Sequence, residues 1–104
     1  MDISTNLEGT RLTIIAEGKL GTPSAPELEK AVKDNLDGIT ELVFDFEKLE
    51  YMASAGLRVL LSAAKVMKKQ GSMKIINVSP EVMEVFTFTG MADMMDIEKN
   101  PTFM

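Results

Sequence analysis

Hydrophobic and polar positions change their period several times along the chain, and each change marks an element. Ile3 to Leu7 and Arg11 to Glu17 read as two short strands joined by the hairpin turn Glu8-Gly9-Thr10. In the second, Leu12, Ile14 and Ala16 alternate with polar neighbours, so one face is wetter. Gly21-Thr22-Pro23 breaks the strand, and Ser24 with Glu27 has the spacing of a capping box at a helix start. Leu28, Ala31, Val32 and Leu36 supply that helix's apolar stripe, which Asp37-Gly38 ends. Leu42-Val43-Phe44 is a continuous apolar run, as in a strand covered on both faces. After a short acidic connection, Leu57, Leu60, Leu61, Ala64 and Met67 give the stripe of a helix from Ser54 to Gln70, stopped by Gly71.

The remainder repeats the alternation. Met73, Ile75, Ile76 and Val78 form a strand, and Ser79 caps a helix with Pro80 at its first position. Val82, Val85, Phe86 and Thr89 make its buried face, and Gly90 ends it. Met94 to Ile97 reads as a last short strand and Asn100 to Met104 as a tail. Strands alternating with helices predict an α/β layer, with an antiparallel start and a mostly parallel sheet of about four to five strands and about three to four helices. With 104 residues and 11.4 kDa, one domain over residues 1–104 is expected.

Charge narrows the function. The net charge is −5, which argues against generic nucleic-acid binding. Residues 1–52 carry 11 acids and 5 bases, whereas residues 53–104 carry 5 acids and 6 bases. From Tyr51 to Pro80 there is no acid, against the bases Arg58, Lys65, Lys68, Lys69 and Lys74. Lys68 and Lys69 suit a solvated face near a helix C-terminus. Arg58, one turn from Ser54, is open to two readings, a solvated charge or a partner contact. No apolar run approaches the roughly 20 residues a membrane span needs, and Met1-Asp2-Ile3-Ser4 lacks the start of a signal peptide. A cytoplasmic protein without membrane attachment is the expectation.

Catalysis has little to work with. The chain has no histidine and no cysteine, which removes the commonest general base, metal ligand and thiol nucleophile. Asp45, Glu47 and Glu50 surround a strand end and read as solvated loop charges. Gly18-Lys19-Leu20-Gly21 lacks the spacing of a phosphate loop. The expectation is a protein that is not an enzyme and needs no metal or cofactor. The nine methionines, among them Met91, Met94 and Met95, read as core filler or, alternatively, as a soft binding surface.

The most informative segment is Tyr51-Met52-Ala53-Ser54-Ala55-Gly56-Leu57. Ser54 falls where a strand gives way to a helix, so free N–H groups and the positive helix end favour a phosphate there. It is equally placed to be a simple N-cap, whose loss costs about 1 kcal/mol. Gly56 costs helix stability and predicts that something approaches the backbone closely.

This arrangement of strand, acidic link, aromatic-Met-x-Ser-x-Gly-Leu and amphipathic helix resembles the STAS domain of bacterial anti-sigma-factor antagonists. Gly18-Lys19-Leu20 with Ser24-Ala25, Gly71 to Val78, and Ser79-Pro80-Glu81-Val82 with Phe86 and Gly90 extend the likeness over nearly the whole chain. It implies a non-catalytic partner of an anti-sigma factor that is itself a serine kinase, with Ser54 as phosphorylation switch. It also implies a contact surface of Ala53, Ser54, Ala55, Gly56 and Arg58 with Gly21 and Thr22, and a monomer or weak dimer. Ala53 stands where the family often has an aspartate before the switch serine. Gly21 stands where it often has another after the Gly-x-Leu of the second strand. Those departures fit an alternative: a STAS scaffold or ligand-sensing module of a transporter or signalling assembly, never phosphorylated.

Overall fold

The computed structural model describes residues 1–100, in the order β1 (Asp2–Glu8), β2 (Arg11–Leu20), α1 (Ala25–Asn35), β3 (Glu41–Asp45), β4 (Leu49–Met52), α2 (Ser54–Gln70), β5 (Ser72–Val78), α3 (Pro80–Thr89), a short 3₁₀ turn (Met91–Asp93) and β6 (Asp96–Lys99). The sheet has six strands, more than the sequence predicts, in the order β1-β2-β3-β5-β6 with β4 attached to β2. Only β1 runs antiparallel to its neighbour. α1 and α3 are the crossovers that parallel pairing requires, since strands running the same way cannot be joined by a tight turn. α2 carries the chain from β4 back to β5.

Two differences from the sequence reading bear on the site. β2 does not stop at Glu17. It runs to Leu20, pairing first with β3 through Arg11–Ile15 and then with β4 from Gly18 to Leu20, with a bulge between Gly18 and Lys19. Gly18 takes φ +101°, which only glycine adopts without strain, and its N–H donates to the Lys48 carbonyl at 3.0 Å. The acidic connection is thus partly a strand, with Leu49 and Met52 buried and Glu50 and Tyr51 exposed.

The core lies on one face of the sheet. Leu12, Ile14 and Ala16 of β2, Leu42 and Phe44 of β3 and Ile75 of β5 meet Leu28 and Val32 of α1, Leu60 and Met67 of α2, and Val82 and Phe86 of α3. Val43 lies on the other face, flanked across the ladder by Thr13 and Lys74, and is also fully buried. α3 is capped as its sequence predicts: Ser79 Oγ accepts from the Val82 N–H, Pro80 opens the helix, and Gly90 at φ +79° ends it. Thr89, expected in its buried face, is exposed, and its hydroxyl donates back to the Val85 carbonyl.

Other expectations shift. The Ser24–Glu27 capping box does not form, because Ser24 Oγ accepts from the Gly21 N–H at 2.9 Å and donates to the Lys19 carbonyl. The last strand is Asp96–Lys99 rather than Met94 to Ile97. Met94 is 69% exposed and no core filler. Asn100, assigned to a tail, is buried with its N–H on the Val78 carbonyl; residues 101–104 lie outside the described residues. No described helix is long and apolar enough to cross a membrane.

Candidate functional site

Ser54 is the first residue of α2 and is exposed. It is not the N-cap. That position belongs to Ala53, extended at φ −104° and ψ 173°, whose side chain cannot accept from the helix. The Ala53 carbonyl accepts from the Gly56 and Leu57 N–H groups, while the Ser54 and Ala55 N–H groups have no partner among the described residues. No acid stands in the first turn. The positive end of a 17-residue helix is therefore left uncompensated beside an exposed hydroxyl. The cap role that the sequence left open for Ser54 is excluded, and Ser54→Ala removes no cap.

The loop that presents Ser54 is firmly held. The Ala53 N–H donates to the Leu20 carbonyl at 2.8 Å, continuing the pairing of Leu20 with Met52. Gly21 and Thr22 follow Leu20 directly, so the structure brings their loop to the same sheet end as Ala53 and Ser54. Ser24 pins that loop through its bonds to Gly21 and Lys19. Thr22 is exposed and Gly21 half-buried.

Gly56 is buried beneath this surface. A Cβ there would lie 2.6 Å from Leu20 Cγ and 3.1 Å from Met52 Cγ. The close approach that the sequence predicts is made by the chain's own core, and it seats the start of α2 against the ends of β2 and β4. Gly56 thereby shapes the surface from below. Ala55 is half-buried, and Arg58 is exposed one turn beyond Ser54 with no ion pair among the described residues.

Tyr51, 53% exposed, is paired in register with Lys19 at the same edge. Sequence reasoning used it only as part of a motif. The alternation of buried Met52 with exposed Tyr51 would have marked it, had β4 been recognised as a strand.

Of the neighbouring carboxylates, read from sequence as solvated loop charges, Asp45 has a structural role. Asp45 Oδ1 accepts from the Glu47 N–H and from Asn77 Nδ2, both at 3.1 Å. Asn77 sits at φ 59°, in the left-handed region that asparagine tolerates, where the β5–β6 register shifts. Asp45 thus ties the end of β3 to this irregular turn of β5. Glu47 and Glu50 are exposed, and no cluster of three potential metal-binding side chains occurs among the described residues.

The family model of the STAS domain matches residues 4–103. BtrV of Bordetella bronchiseptica is 36% identical over 76 residues, spanning 71% of this chain and 66% of that protein. The anti-sigma-B factor antagonist of Bacillus subtilis is 31% identical over 98 residues, covering 93% of this chain and 88% of the other. Among solved structures, an anti-sigma factor antagonist from Mycobacterium paratuberculosis superposes with a TM-score of 0.85 at 19% identity over 93% of this chain and 84% of that one. The phosphorylated form of SpoIIAA from Bacillus gives 0.73 at 20% identity over 92% and 90%. This chain belongs to the STAS-domain family.

Proposed function

We propose that the protein is an anti-sigma-factor antagonist in a partner-switching circuit. Its unphosphorylated form binds an anti-sigma factor that is also a serine kinase, and this releases a sigma factor to direct transcription. The observation that carries the reading is Ser54: exposed, free of any capping duty, and held on a rigid loop at an uncompensated helix N-terminus. The names of the relatives, anti-sigma-B factor antagonist foremost, support this role over a scaffold or ligand-sensing module.

In this reading Ala53, Ser54, Ala55 and Arg58 form the contact surface with Gly21 and Thr22, while Gly56 holds it in place. A phosphate on Ser54 would bring about −1.5 to −2 charges into that surface, and it would weaken docking through repulsion and desolvation. The kinase supplies ATP and Mg²⁺. The chain itself acts by binding alone, as one cytoplasmic STAS unit with no catalytic step, no nucleic-acid or membrane ligand, and as a monomer or weak dimer.

The reading predicts a single phosphorylation. Incubated with a purified serine-kinase anti-sigma factor from its own genome, Mg²⁺ and ATP, the protein is expected to gain one phosphate by intact mass. Fragmentation is expected to locate it on Ser54, and Ser54→Ala to gain none. Phosphate on another serine, or equal incorporation by Ser54→Ala, would overturn the assignment.

A further inference from the structure

Ser54 stands at one end of a longer feature. Ser54, Arg58, Leu61, Lys65 and Lys68 recur at intervals of four, three, four and three residues, which puts them in one row along the outer face of α2. At 1.5 Å per residue the row is about 21 Å long. Arg58, Lys65 and Lys68 are exposed, as is Lys69 on its flank, and none has an ion pair among the described residues. Of the seven bases outside α2, Arg11, Lys30, Lys33, Lys48 and Lys74 stand within 3.8 Å of a carboxylate, whereas Lys19 and Lys99 do not among the described residues; α2 differs in gathering four such bases on one helix.

The row also borders an apolar groove. Leu61, Ala64, Lys65 and Lys68 of α2 line a groove of about 340 Å³ with Met73 at the start of β5 and Met94 and Met95 beyond the 3₁₀ turn. Leu61 is half-exposed, and Met94 is largely exposed. Asp96 is the single carboxylate on its wall, and it pairs with neither lysine.

We infer that this row and groove bind an acidic amphipathic segment of the anti-sigma factor, a helix of about four turns lying beside α2. The inference rests on the antagonist reading and extends it by naming the chemistry of the partner's contact. Charge complementarity carries it: of four cations on α2 without an ion pair among the described residues, Lys65 and Lys68 line the apolar slot, and the stretch Tyr51 to Pro80 contains no acid. Carboxylates of the partner pair with Arg58, Lys65 and Lys68, and an apolar side chain enters between Leu61 and Met94. Methionines suit such a slot because their flexible thioethers adapt to the incoming side chain. A polyanionic nucleic acid fits less well, because the chain's net charge of −5 repels it and the slot offers its bases no aromatic platform. A phosphate on Ser54 lies at the head of the row, one turn from Arg58. It would therefore occupy the nearest cation and oppose the approaching acids at once.

The test uses the full chain and the purified anti-sigma factor that phosphorylates Ser54. Affinity is measured at two salt concentrations for the wild type, Lys65→Glu/Lys68→Glu, Leu61→Ala, Ser54→Asp and a matched reversal on α1, Lys30→Glu/Lys33→Glu. The α2 reversal is expected to weaken binding about tenfold or more and to flatten its salt dependence. Leu61→Ala is expected to weaken it about three- to tenfold. The α1 reversal should leave affinity within about twofold, because those lysines lie off the docking row. Melting curves check that every variant is folded. If the α2 reversal leaves affinity unchanged while Ser54→Asp abolishes it, the acidic-segment contact is wrong and the antagonist reading stands. If neither variant affects affinity, both fall. An α2 reversal that abolishes only self-association, or only binding to RNA or phosphatidylglycerol vesicles, also overturns the inference.

Discussion

Replacing Gly71 with alanine is expected to destabilise the protein by about 3 kcal/mol or more, at or above the upper end of the usual overpacking range. The backbone angle is not the cause, since φ is 170°, an extended value open to any residue. The obstacle is space. A Cβ at Gly71 would lie 1.8 Å from the Thr40 carbonyl oxygen and 2.6 Å from its carbon. That carbonyl cannot retreat cheaply, because it accepts from the Ser72 N–H at 3.0 Å as β5 joins the sheet. Nor can α2 lift away freely. Gln70 Nε2 donates to the carbonyls of Leu36 and Ile39 at 2.8 and 2.7 Å, binding the end of α2 to the α1–β3 link. The methyl must break one of these attachments. With total stability of about 5–15 kcal/mol for a domain of this kind, urea unfolding should reveal the change as a large shift in midpoint. Gly38→Ala is the control: its φ of +79° strains a side chain, yet a Cβ would meet nothing within 4 Å. A smaller loss is expected there, of about 1 kcal/mol. Equal losses at the two glycines would contradict the steric account.

The second large effect separates two adjacent leucines. Leu60 is fully buried and Leu61 only half-buried. Leu60→Ala should cost about 2–5 kcal/mol, from lost transfer energy and the cavity left behind. Leu61→Ala should cost less, about 1 kcal/mol, because part of its side chain is already exposed to solvent. The sequence reading treats both as core. Chemical denaturation of the two variants decides, and equal costs would mean that α2 is rotated from the arrangement described.

The choice of buried face on α2 shows where sequence reasoning stops. Apolar residues at 57, 59, 60, 61, 63, 64, 66 and 67 cover more than one side of α2, so a period of 3.6 alone does not choose the buried arc. The structure chooses it through Gly56. The buried arc runs through Gly56, Leu60, Ala63 and Met67, with Leu57 and Val59 beside it. Only glycine at 56 lets the helix sit against Leu20, and this turns Leu61 and Ala64 outward. β4 was illegible for a related reason. Four residues with one acid carry little alternation, and their partner is the far end of β2, some thirty residues earlier.

Elsewhere local chemistry sufficed. The apolar run of β3, Ser79 with Pro80 at the head of α3, and the glycines after α2 and α3 mark elements where the structure has them. At the site, the strand-to-helix step and the span Ser54–Gln70 were legible from the pattern, but that Ala53 rather than Ser54 takes the N-cap position was not. An N-cap and a first helical residue differ in backbone angles that Ala53 and Ser54 do not betray by type. Ser24 misled similarly, because its hydroxyl had a closer use within the loop than at the helix start.

The claim that Ser54 controls partner binding is tested most directly by affinity for the anti-sigma factor in Ser54→Ala and Ser54→Asp, measured beside their melting temperatures. Since Ser54 caps nothing, alanine should leave stability within about 0.5 kcal/mol of the wild type and should bind normally. Aspartate in the uncompensated first turn should stabilise the helix by about 0.3–1 kcal/mol, yet it places charge in the proposed contact surface. The predicted result is therefore an aspartate variant at least as stable as the alanine variant but binding about tenfold or more weakly. Equal affinities for the two variants would contradict the account.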